Sequence, residues 1–124
     1  MKEAISTEDT ASNHLLSQAV RSNGFIFVSG QVHVDANLKL VGETTSEKVT
    51  AIMGRIQNIL KHAGATLDNI VKVVIYVTDM ALIPELNETY PTFFSASLPV
   101  REAVCVAALP LGAQIEISVI AAEQ

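Results

Sequence analysis

The stretch PVREAVCVAALPLGAQIEI, residues 99–117, decides how the rest of this chain is read. Pro110, Leu111 and Gly112 divide it into two runs rich in Val, Ala and Ile, the composition of β-strands. Both runs carry charge that an apolar strand does not need: Arg101, followed by Glu102, at the mouth of the first, and Glu116 inside the second. Strands otherwise made of Ala, Val, Ile and Leu are expected to be buried. A buried charge costs on the order of several kcal/mol unless it is paired or used. Arginine offers a rigid fork of donors that matches a carboxylate, and glutamate can hold a water or move a proton. Together they predict a small pocket that grips a carboxylate and does proton chemistry beside it. The plainer alternatives are a surface arginine or one paired with Glu102, and for Glu116 a solvated edge position opposite the face shared by Ile115 and Ile117.

Upstream, IVKVVIYV (70–77) is β-branched and nearly all apolar, which predicts a central strand with Lys72 pointing out. Thr78 and Asp79 cap a second helix over about 82–95, with Pro84 in its first turn and a kink or early break near Tyr90 forced by Pro91. Helical spacing places Phe93 and Phe94 in the core and lets Asn87 and Tyr90 present polar tips on one face. Thr44 followed by Glu47 is a capping box. Val49, Ile52, Met53, Ile56, Ile59, Leu60 and Ala63 then recur at helical spacing, an ordinary core stripe, and Gly64 closes that helix. Asn23-Gly24 signals a hairpin between a strand at 16–20 and FIFVS at 25–29, with a bulge at Gly30. Residues 1–13, polar and small, read as an arm that orders late or at an edge.

The order β-β-α-β-α-β-β predicts a single α+β domain over 1–124, with a mixed sheet and both helices on one face. The helix-free face would be a large apolar patch. This predicts a homo-oligomer with sheet faces inward, a barrel within one chain being the alternative.

A net charge of −5, with eight Lys and Arg scattered along the chain, leaves no basic face for nucleic acid. The single cysteine, Cys105, excludes an internal disulfide and reads as a small buried hydrophobe rather than a nucleophile. No metal-ligand spacing occurs among Cys105, His14, His33 and His62, so no metal is expected. His62 suits the end of the first helix, and His14 and His33 suggest no pairing. Neither a signal peptide nor a membrane span is visible, which fits a cytoplasmic protein.

Taken together, LSQAV (16–20), FVSGQV (27–32), AGATLDNIVKVVIYVTDM (63–80), NETYPTFF (87–94) and the PVREAV…IEI signature resemble the RidA (YjgF) family of reactive-intermediate deaminases over nearly the whole chain. The resemblance implies a chorismate-mutase-like fold and a homotrimer with a central barrel and clefts between subunits. It implies cofactor-free hydrolysis of enamines and imines such as 2-aminoacrylate, which leak from pyridoxal-phosphate enzymes, to 2-oxo acids and ammonia. By position, Arg101 matches the residue that binds the substrate carboxylate and Glu116 the one that holds the attacking water. Ser29, Gly30, Asn87 and Tyr90 match lining residues. Two positions depart from the family pattern. His14, Leu15 and Leu16 stand where the family has a tyrosine, for which His14 is a candidate substitute. Ala103 stands where deaminating members have Cys, Ser or Thr, making the cleft more apolar. The leading expectation is an imine deaminase with a small carboxylate-bearing imine, enamine or 2-oxo acid as partner, and neither nucleic acid nor membrane. A non-catalytic trimer that binds small carboxylates is the alternative, and an endoribonuclease or translation inhibitor a third.

Overall fold

Asn23 (φ 54°) and Gly24 (φ 84°) both take positive φ, which two-residue hairpin turns require because their twist matches that of the flanking strands. They join β2 (Ala19–Ser22) to β3 (Phe25–Val32). The computed structural model describes residues 1–7 and 15–123. In chain order the remaining elements are β1 (Lys2–Ile5), α1 (Thr45–His62), β4 (Ile70–Val77), α2 (Ile83–Thr89), β5 (Val100–Cys105) and β6 (Ile115–Ala122). The sheet order is β1-β2-β3-β6-β4-β5. β4 and β5 run parallel, and the other neighbouring pairs are antiparallel.

The capping box at the start of α1 forms in full: Thr44 accepts from the Glu47 amide, and the Glu47 carboxylate accepts from the Thr44 amide. At its other end the Ala65 amide donates to Leu60 and the Gly64 amide to Lys61, satisfying carbonyls that the helix leaves open. Its stripe of Val49, Ile52, Met53, Ile56, Ile59 and Leu60 is buried. That stripe lies against one face of the sheet, formed by Ile26, Val28, Val73, Ile75, Val77, Ile115, Ile117, Val119 and Ala121, with Leu86 of α2 in the same core. Both helices cover that face, as the sequence order predicts.

Four expectations need correction. The proposed arm contains a strand: Lys2–Ile5 forms edge strand β1, paired with β2 through the backbone ladder rather than through an apolar pattern, while the rest of the arm lies largely outside the described residues. The strand read at 16–20 begins at Ala19. The early break expected near Tyr90 is present: the second helix ends at Thr89 and tightens into a 3₁₀ turn over Tyr90–Phe93, because Pro91 lacks the amide an α-helix needs there. Phe93 and Phe94 are only partly buried against the core. Finally, β5 is an edge strand rather than a buried one. Val100 is 67% and Val104 41% exposed, and Cys105 at its end is exposed rather than part of the core.

The helix-free face is half apolar. Phe25 and Phe27 stand on it, 6.3 Å apart between ring centroids. Lys72 lies 3.4 Å from Glu102 across the parallel pair, so Glu102 serves Lys72 and not Arg101. At one corner the Arg21 guanidinium joins Glu3 of β1, Glu123 beyond β6 and the Ala63 carbonyl at the end of α1. Among the described residues no helix is long and apolar enough to cross a membrane.

Removing the buried side chain in Ile75→Ala should cost about 2–5 kcal/mol. Thr44→Ala should cost about 1 kcal/mol by unmaking the capping box. Urea denaturation followed by circular dichroism checks both, and a cost for Thr44→Ala near that of Ile75→Ala would contradict this account.

Candidate functional site

Strand alternation determines where the two singled-out charges go. Glu116 pairs across the ladder with Tyr76 of β4 and with Val32 of β3, so its side chain stands on the helix-free face. Arg101 pairs in parallel register with Val73, and Ala103 with Ile75, so both look toward the helices. The sequence suggested one pocket holding both charges. Within this chain the sheet itself separates them.

Glu116 lies against Gly30. The β3–β6 ladder is broken between Val28 and Gln31, and the bulge brings the Gly30 backbone under the Glu116 carboxylate. A Cβ added at Gly30 would collide with Glu116 Oε2, so only glycine admits this approach. Beside it, Ser29 is tied to the strand before: its hydroxyl donates to the Ser17 carbonyl at 2.6 Å and its amide to Gln18 at 2.8 Å. Burial alone pushes the Glu116 carboxyl above the usual carboxylate range.

On the other face, the Arg101 guanidinium carbon lies 5.1 Å from the centroid of the Tyr90 ring, a cation–π geometry. The Tyr90 ring also packs on Phe94, with centroids 5.2 Å apart. Among the described residues its buried hydroxyl has no hydrogen-bond partner, an arrangement that costs on the order of 1–3 kcal/mol in a closed core. Burial raises the Tyr90 pKa, and the Arg101 charge opposes that rise. Ala103 is half-buried and packs on the core beside this pair, and Cys105 follows it on the same strand face. Asn87 is exposed on α2 while Tyr90 is buried, so the two do not share one polar face. His14 lies outside the described residues.

Among the described residues neither Arg101 nor Glu116 meets an opposite charge within ion-pair distance. The structure therefore presents two separate groups, one on each face of the sheet. One is a carboxylate over a glycine bulge. The other is a guanidinium held flat on an aromatic ring, its donors free for a planar anion. The sequence reading assigned no role to His33, which is buried between the end of β3 and the residue before β6. Its sequence signal is a histidine set between Val32 and Val34, where an apolar residue would suffice.

Comparison with known proteins agrees with this architecture. The family model described as Endoribonuclease L-PSP matches residues 7–123. The mouse 2-iminobutanoate/2-iminopropanoate deaminase is 40% identical over 108 residues, covering 86% of this chain and 80% of that protein. The crystal structure of yeast Mmf1 superposes with a TM-score of 0.93 at 36% identity, over the full length of both chains. RidA from an Antarctic Psychrobacter superposes with a TM-score of 0.89 at 31% identity, over 97% of this chain and 98% of that one. With its sheet, its helices and its sequence shared along nearly the whole length, this chain belongs to the RidA (YjgF) family.

Proposed function

We propose that this protein is a cofactor-free deaminase that hydrolyses reactive 2-imino acids, and the enamines that tautomerise to them, to 2-oxo acids and ammonia. The observation that carries the reading is the separation of Arg101 and Glu116 onto opposite faces of one sheet, each without an opposite charge among the described residues. A site using both is completed by a second copy. We therefore propose a homotrimer in which the helix-free faces, carrying Phe25, Phe27 and Val104, pack inward. In each cleft Arg101 of one subunit would meet Gly30 and Glu116 of the next. The names of the mammalian relatives support the reaction class.

In the proposed reaction the substrate carboxylate docks on the Arg101 fork, which Tyr90 holds flat, and the neighbouring iminium carbon is left facing Glu116. Glu116 takes a proton from a water as its oxygen bonds to that carbon. The proton passes to the nitrogen, the C–N bond breaks, ammonia leaves and the carbonyl forms. The products are one 2-oxo acid and one ammonia for each water consumed. The chemistry needs orientation and one proton relay. Ala103 offers the substrate side chain an apolar wall, so branched or longer imino acids should be accepted. The net charge of −5 favours this reading over an RNA substrate.

Imines generated from a panel of amino acids by an amino-acid oxidase, with the remainder trapped by semicarbazide, test the proposal. The wild-type protein should deplete the trappable imine, and Arg101→Ala should abolish depletion. Glu116→Gln should lower kcat by about 10²–10⁴ while still binding a 2-oxo acid. Absence of depletion across the panel, with 2-oxo acid binding retained, would favour the carboxylate-binding trimer instead.

The raised Glu116 pKa also sets a pH dependence. As a base it works ionised, so kcat should fall on the acid side from above the usual carboxylate range, and Glu116→Gln should lose that limb. Mixing Arg101→Ala and Glu116→Gln subunits tests the shared cleft. If the two residues come from different subunits, half of the arginines and half of the neighbouring glutamates are intact, so about a quarter of wild-type turnover should return. No recovery in verified mixed trimers would place both residues of a working site in one chain.

A further inference from the structure

We propose that His33 is a positioning residue for Glu116, acting through the backbone of Gln114; the proposal rests on the deaminase reading above. His33 is 2% exposed, and both ring nitrogens meet backbone groups. Nε2 lies 3.0 Å from the Gln114 amide and Nδ1 lies 3.0 Å from the Val41 carbonyl. An amide nitrogen can only donate, so Nε2 accepts, which places the ring proton on Nδ1, where it donates to Val41. These two bonds define one neutral tautomer.

The location of that bond gives it a role. After the bulge at Gly30 the β3–β6 ladder has two rungs, Gln31 with Ile117 and Val32 with Glu116. The His33–Gln114 bond closes the ladder immediately beyond them. Gln114 is also held from two other sides: its carbonyl accepts from the Thr78 amide at 3.1 Å, and its side-chain oxygen accepts from the Lys48 ammonium. β4 holds Glu116 from one side through Tyr76, and on the β3 side, with a bulge at one end of the two rungs, the His33 bond supplies the fixed point at the other. The anchor lies on the β3 side, the side on which the Gly30 backbone comes close to the Glu116 carboxylate.

Protonation of His33 would turn Nε2 toward Gln114 as a donor facing a donor, and the anchor would open. Burial holds the His33 pKa low, assisted by the Lys48 charge from α1. Of the other charged groups in this region, Asp35 accepts from the Asn37 and Lys39 amides, and Arg55 donates to the Gln31 side chain and the Val34 carbonyl. Linkage follows from the direction of the shift. The unfolded chain binds a proton at His33 more readily than the fold does, so stability present above about pH 6.5 is lost as the pH falls toward the depressed folded value. Glu116, with its raised pKa, acts in the opposite sense.

The experiment compares wild type, His33→Leu and His33→Gln, the last placing an acceptor oxygen near the Nε2 position. At neutral pH, His33→Leu should lower kcat roughly tenfold with little change in KM, and His33→Gln should recover most of that loss. On the acid side, kcat should fall with two protons in the wild type (Glu116 and His33) and with one in His33→Gln. The urea midpoint of the wild type, and not of His33→Gln, should drop below about pH 6.5. The amide resonance of Gln114 should follow the titration of the His33 imidazole. Equal kcat in the two variants, the same two-proton limb in His33→Gln, or a Gln114 amide indifferent to His33 would overturn the proposal. If His33→Leu does not fold, the acid limb of His33→Gln and the Gln114 amide decide it. A wild type without turnover defeats the deaminase reading, and the amide and urea measurements then decide the His33 anchor separately.

Discussion

β6 is the strand on which the molecule depends, because its alternation divides the protein in two. Ile115, Ile117, Val119 and Ala121 go to the helices, and Glu116, Ser118 and Ile120 to the other face. The strand lies between β3 and β4, so a slip of one residue would exchange a fully buried isoleucine for a carboxylate. The same slip would bury an unpaired charge and expose the core. The hydrophobic effect that folds the domain therefore also places Glu116.

Much of the fold was legible locally. The capping box of Thr44 and Glu47, the α1 stripe, the Asn23-Gly24 turn and the interruption at Pro91 are short-range chemistry, and each is found where the sequence puts it. β1 was missed because KEAI shows no strand pattern; it is a strand because β2 offers it a ladder. The exposure of β5 was missed for a related reason. A run of Val, Ala and Cys reads as buried, and only the sheet order shows that β5 has one neighbour rather than two.

The candidate site was legible as residues but not as geometry. Arg101 and Glu116 stand out because charge is unexpected in their strands. Whether they share a face depends on the register of β5 on β4 and of β6 on β4, two long-range pairings with no local signal. Gly30 was read as a bulge, and the structure adds the group that approaches it, Glu116. His33 carried only a weak signal, since a buried histidine and an exposed one look alike until their partners are known.

The position of β5 has a consequence outside chemistry. An edge strand displays an open row of amides and carbonyls, and Val100 and Val104 make this one apolar on the helix-free face. In a single copy of the chain that edge is uncovered. Arg101 and Glu102 interrupt the run, and charge on an edge discourages another strand from annealing to it. Arg101 thus also guards the chain against aggregation, so replacing it can reduce the yield of folded protein, apart from any effect on the proposed chemistry.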